Sequence, residues 1–345
     1  MFVRTVSISL GMLLLYPFSQ SVSAYQKESA NKTKTELITV YSSRKEHLIK
    51  PLFDSFTDET GIKIQYITDK AGPLMARLKA ERETTRADMF MTVDAGMLWK
   101  ASQEGLLRRI ESSQLEKSIP NHLRSTNNDW FGLSVRARTI VYATERVQPE
   151  ELSTYEALAD NQWKGRLCLR TAKKIYNQSL IATMINSLGE KQTEAVVKGW
   201  VNNLATPPHA KDSQAMEAIL AGQCDITLVN TYYFGRLLNK KPESKLAIFW
   251  PNQEGRGVHV NISGAGVTRH AKNPEDAQKL LEWLASKEAQ GDFARLNQEY
   301  PANPGVKPSA TVASWGNFKE DKINVEAAGR LQVDAVKLMD RAGYK

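Results

Sequence analysis

The chain has 345 residues, with 46 Lys and Arg against 38 Asp and Glu, a formal net charge of +8 and two cysteines. It carries no HExxH, no CxxC and no phosphate loop, which removes the common zinc, redox and nucleotide chemistries. The basic residues are interspersed with acids and form no run alternating with aromatics, so no nucleic-acid partner is expected; such a surface suits solubility and small anions.

Residues 1–24 read as a secretory signal peptide. Arg4 supplies the positive start, Val6 to Phe18 is largely apolar, and Ser21-Val22-Ser23-Ala24 offers small residues for cleavage after Ala24. The apolar stretch is short for a bilayer span, although a retained anchor is the alternative. There is no Cys near the cleavage point, so a lipoprotein anchor is not expected. Residues 25–35 are polar and Lys-rich and read as a disordered leader. The rest is long enough for two domains.

The first elements alternate strand and helix, which predicts parallel sheets with crossover helices. Glu36 to Tyr41 reads as a strand, with Ser43 as the N-cap of a helix whose apolar positions are Leu48, Leu52, Phe53 and Phe56. Gly61 ends that helix. Ile62 to Ile67 is a second strand. Pro73 to Glu83 is a second helix, with Leu74, Ala76 and Leu78 facing inward. Asp88 to Val93 is a third strand.

Phe131 to Ala143 is a long extended run. Leu167 to Leu169 is a strand, and Asn177 to Leu188 is a helix ended by Gly189. Ala215 to Leu220 is helical; Ile226 to Val229, Leu246 to Trp250 and Val258 to Val267 are extended. From Asn273-Pro274 onward the pattern is helical: 277–285, 289–296 and 325–342. The extended runs near 133–138 and 260–266 bracket the middle block. They predict a hinged, two-lobe α/β protein, with 37–133 plus 264–345 as one lobe and 138–262 as the other.

Two adjacent tyrosines, Tyr232 and Tyr233, follow an apolar strand-like run, and Tyr176 lies in KIYNQS. On a strand, packing alone would place one ring on each face. Phenolate is a hard anionic oxygen donor and suits a hard, highly charged cation such as ferric iron. A cation can deprotonate phenols whose reference pKa is about 10. Partly buried, hydrogen-bonded tyrosines would look the same in sequence.

In an exported protein Cys168 and Cys224 are expected to form a disulfide. Each lies eight residues before a tyrosine segment, and loop entropy gives such a bridge about 4–5 kcal/mol at most. Two buried free thiols are the alternative. Arg136 and Arg138 lie on the hinge run, where one of them could pair with Asp94. Thr171, Lys173 and Lys174 either line an anion pocket or are solvated loop residues.

Taken together, VYSSR (40–44), TGIKI (60–64), RADMFMTVDAG (86–96), GLSVRARTIVY (132–142), KGRLCLR (164–170), IYNQSLIA (175–182), CDITLVNTYYFGRL (224–237) and ANPGV (302–306) resemble the periplasmic ferric-iron-binding proteins of ABC transporters. This is the FbpA/FutA-like group of class II periplasmic binding proteins. The resemblance covers essentially the whole chain after the signal peptide, and VNTYY with an upstream IYNQS is its most specific part.

The resemblance implies a periplasmic protein that closes on one ferric ion in the interdomain cleft. It also implies delivery of the ion, or a ferric chelate, to an inner-membrane ABC permease with its ATPase. Tyr176, Tyr232 and Tyr233 match the family's ligands, and binding proteins of this layout commonly act as monomers. Where cyanobacterial-type members read His-Tyr after SSR, with that tyrosine also on iron, this chain has Lys45-Glu46. Either Glu46 supplies a carboxylate or a synergistic carbonate-type anion fills the position. Arg44 matches the arginine that holds such an anion, and its fork suits bidentate binding; Lys45 and Lys173 add charge nearby. Arg44 as a surface ion pair and Glu46 as a first-turn helix acid are the plain alternatives. A pocket for a small anion without iron is the rival function. An enzyme would need a positioned base and nucleophile, and no such constellation is present.

Overall fold

The computed structural model describes residues 37–345 together with Met1, Phe2, Val3 and Thr5. Apart from those four residues, the expected signal peptide and leader lie outside the described residues.

The chain opens with β1 (Leu37–Ser42), α1 (Glu46–Thr60), β2 (Lys63–Thr68), α2 (Ala71–Glu81), β3 (Met89–Thr92) and α3 (Ala95–Gln103). Ile49, Leu52, Phe53 and Phe56 form the buried stripe of α1, and Gly61 closes it at φ 75°, a left-handed cap that glycine adopts without strain. Ser43 is not the cap: Lys45 holds that position without a side-chain bond. The Ser43 hydroxyl instead accepts from the Val93 amide at 3.2 Å, tying the loop after β1 to the end of β3. α2 starts two residues earlier than expected; Leu74, Met75 and Leu78 are buried, whereas Ala76 faces out.

Next come α4 (Ser113–Ser118), β4 (Phe131–Ala143), β5 (Leu167–Cys168), α5 (Ile175–Leu188), α6 (Glu190–Asn202), α7 (Asp212–Leu220), β6 (Ile226–Asn230), α8 (Thr231–Lys240), β7 (Leu246–Phe249) and β8 (Val260–Val267). The chain ends with α9 (Pro274–Leu284), α10 (Lys287–Asn297), β9 (Tyr300–Pro301), α11 (Ala310–Ala313), α12 (Ala327–Arg330) and α13 (Gln332–Arg341). The short β9, paired with β4, interrupts the all-helical pattern expected after residue 274.

The strands run in the order β2-β1-β3-β8-β4-β6-β5, with β7 and β9 also on β4. Pairing is parallel in β2-β1-β3 and in β5-β6, as the strand–helix alternation predicts. It is antiparallel wherever β4 and β8 take part, so each half-sheet is mixed rather than mostly parallel. Long strands that pass between two halves enter them without a crossover helix, and an antiparallel neighbour follows.

All of β4 is buried. Phe131 to Ala137 pair with β8, whereas Arg138 to Tyr142 pair with β6. The change of partner at Ala137–Arg138 falls inside the 133–138 run. α12 packs on α3 and α5, and α13 packs on α5 and α6. α12 therefore bridges α3 and α5, and α13 lies on the α5–α6 side. Cys168 and Cys224 form a disulfide that joins β5 to the turn before β6.

Candidate metal centre

Tyr232 and Tyr233 open α8 directly after β6, so they sit on a first helical turn and not on a strand. Tyr176 occupies the equivalent place at the start of α5. The difference from the strand reading is physical: on a helix, consecutive residues are rotated by about 100° rather than 180°, so adjacent rings can share a side. Their centroids are 4.4 Å apart at an interplanar angle of 43°. The Tyr232 hydroxyl accepts from Asn230 Nδ2 at 3.2 Å, and the Tyr176 and Tyr232 phenols interact directly with each other. The structure thus brings all three phenols together.

Three arginines surround them. The Arg170 guanidinium lies 5.2 Å from the Tyr176 ring centre and 5.8 Å from that of Tyr233. Arg136 lies 5.5 Å from Tyr176, and Arg236 lies 5.0 Å from Tyr232 and 5.8 Å from Tyr233. These are cation–π distances. Burial, then the charge of Tyr233, holds Tyr176 above the usual tyrosine range, opposed by Arg136, the hydrogen bond from Tyr232 and Arg170. Burial pushes Tyr232 up further, and the neighbouring phenols add to it. Both are therefore neutral at pH 7.

Two arginines have acidic counterweights. Arg136 is 4.0 Å from Asp94, the pairing left open for one of the hinge-strand arginines. Arg170 is 3.4 Å from Asp212, which also pairs with Arg138 at 3.1 Å. Arg136 is 2% exposed, and neither Nη1 nor Nη2 has a hydrogen-bond partner. Arg170 Nε is likewise buried and unbonded, while its Nη1 meets Asp212 only as an ion pair. Buried guanidinium N–H groups without acceptors are disfavoured unless something binds there.

Of the other predicted residues, Arg44 and Glu46 have partners of their own. Arg44 is no surface ion pair: it is 4% exposed, bonded to Ser263, to Asn297 at 2.5 Å and to Glu299 at 3.2 Å, and stacked on Phe293. Glu46 and Lys45 are exposed at the start of α1, and Glu46 Oε1 accepts from the Tyr66 hydroxyl at 2.9 Å. Lys173 is exposed beside a cavity lined by Gln178, Val336, Met339 and Tyr344. A separate cavity of about 310 Å³ lies between Ser43, Thr92, Asp94 and Ile175. It sits where the carboxyl ends of β1 and β3 face the start of α5, the usual ligand position in open α/β sheets.

Sequence reasoning missed Arg170 and Arg236. Once Tyr232 and Tyr233 are placed on a helix, Arg236 falls at i+4 and i+3 and shares their face. Arg170 gave no such cue, because its approach to Tyr233 depends on the β5–β6 pairing. Among the described residues no group of three His, Cys, Asp or Glu could hold a metal.

A parallel-ended, two-lobe sheet with a phenol-lined site at helix starts is the architecture of a ligand-capturing protein. The chain belongs to the bacterial extracellular solute-binding proteins, whose family model matches residues 51–320. It is similar to iron uptake protein A1 of Synechocystis sp., 42% identical over 98% of this chain and 95% of that one. Among solved structures it is similar to Trichodesmium FutA in complex with iron and citrate ligands: 48% identity, TM-score 0.86, 90% of this chain and 100% of that chain. It is also similar to the ferric iron-binding protein A of Mannheimia haemolytica in an open conformation: 38% identity, TM-score 0.84, 90% and 99% coverage.

Proposed function

We propose that this protein captures ferric iron in the cleft between its lobes through the phenolates of Tyr176, Tyr232 and Tyr233. The carrying observation is the meeting of these three hydroxyl-bearing rings at two helix starts, ringed by Arg136, Arg170 and Arg236. The relatives named for iron uptake and ferric-iron binding support the same cargo.

Chemistry gives the order of events. Iron displaces the phenol protons, and three phenolates cancel its three positive charges. The surrounding arginines then favour an added anion. In this reading Arg136 and Arg170, with their unbonded N–H groups, hold a carbonate-type anion or a carboxylate of a ferric chelate. Arg44 bonds Glu299 and Asn297 and keeps only its buried Nε without a partner, so in this reading it supports the anion less directly. Glu46, bonded to Tyr66, is not a ligand in this arrangement. The segments 133–138 and 260–266 act as the hinge, and iron favours the closed form only through its better affinity for that form.

The protein acts in the periplasm as a monomer after cleavage behind Ala24. It passes iron to an inner-membrane ABC permease with its ATPase and catalyses no reaction. A pocket for a small anion alone is the second reading, favoured by the unbonded Arg136 and Arg170. The test is dialysis against ferric citrate with and without bicarbonate, followed by metal analysis. One retained iron per chain supports the proposal; citrate retained without iron supports the rival.

A further inference from the structure

Tyr344 is a long way along the chain from the tyrosines of the site, yet it is built into their support. It is 4% exposed, and its hydroxyl donates to the Arg170 carbonyl at 2.5 Å and accepts from Asn177 Nδ2 at 2.7 Å. Asn177 Nδ2 also donates to the Arg170 carbonyl at 2.7 Å. Beside this junction the Ala172 amide donates to the Lys345 carbonyl at 3.0 Å. Arg170 is the residue between the Tyr176 and Tyr233 rings, and Asn177 directly follows Tyr176. The three buried groups close a ring of hydrogen bonds from the end of β5, through Tyr344, to the start of α5.

Resting on the iron reading above, we infer that Tyr344 is a positioning residue for iron: it fixes the backbone of Arg170 and Asn177 so that the guanidinium and the Tyr176 phenol meet in register. A phenol is suited to the task because one hydroxyl can accept from the amide and donate to the carbonyl at once. Buried networks of this kind hold a single geometry only while every member is satisfied. Phenylalanine at this position keeps the ring packing and removes only that link. The delivery of Tyr344 by α13, which packs on α5 and α6, makes the last helix part of the site's frame.

The experiment is Tyr344→Phe in the whole protein, loaded with ferric citrate. Two readouts are taken: the visible phenolate-to-iron band, and the rate of iron loss to excess EDTA. The expected result is a shifted band maximum and iron loss about three- to tenfold faster, the equivalent of one buried hydrogen bond, with the unfolding midpoint near that of the wild type. A merely structural tyrosine would not move the band. If Tyr344→Phe does not fold, Asn177→Ala breaks the same junction from the α5 side and must give the same shift and faster loss. Wild-type band and release in whichever variant folds overturn the inference alone. A wild type with no band overturns the iron reading and this inference with it.

Discussion

The Ser179 hydroxyl donates to Asp94 Oδ2 across 2.9 Å, which ties the helix of Tyr176 to the N-cap of α3. Asp94 also takes hydrogen bonds from the Gly96 amide and Asn261, and faces Arg136. Ser179→Ala removes one donor from a buried carboxylate. It should lower the unfolding free energy by about 1–3 kcal/mol, checked by urea denaturation, and weaken iron retention in the dialysis assay.

His259 gives a signed pH dependence. Burial, and then Arg136, Arg138 and Arg256, push its imidazole down from 6.5 to about 3. A depressed histidine pKa means that the unfolded chain binds the proton first. The stability that neutral His259 provides is complete above pH 6.5 and is lost as the pH falls toward about 3. Between those values its slope approaches about 1.4 kcal/mol per pH unit. In His259→Gln the acid limb of a stability-versus-pH curve should be shallower by up to one proton.

The disulfide joins segments 56 residues apart in sequence. Replacing both Cys168 and Cys224 by Ser should reduce the unfolding free energy by about 2–4 kcal/mol. Because β5 leads to Arg170 and β6 to Tyr232, the double variant should also lose iron faster. Chelator competition checks this.

Gly235 lies on α8 two residues after Tyr233. A Cβ there would stand 2.7 Å from both Gln298 Oε1 and the Trp315 ring. Gly235→Val should push the segment around Trp315 off α8 and destabilise the fold by about 1–3 kcal/mol. A changed tryptophan emission spectrum would report the displacement.

The sequence carried the backbone plan well. Leu52, Phe53 and Phe56 of the α1 stripe, its stop at Gly61 and the whole span of β4 were readable from spacing and glycine chemistry, whereas Ile49 rather than the expected Leu48 is the buried residue of the first turn. The tyrosines were identifiable as residues but not as a helix start, because a short apolar run before them reads as a continuing strand. The partners of Arg44, namely Ser263, Asn297 and Glu299, are more than two hundred residues away in sequence and left no local signal. The same long separation hid Tyr344, the bridging of α3 and α5 by α12 and the packing of α13 on α5 and α6. Contacts set by tertiary closure leave no local period to read.

The decisive measurement is a visible absorption titration of the protein with ferric citrate, run in parallel on Tyr176→Phe, Tyr232→Phe and Tyr233→Phe. The iron account predicts a broad phenolate-to-iron band that saturates at one iron per chain and is lost or shifted in each variant. No band in the wild type, or a band that all three substitutions leave unchanged, would contradict it.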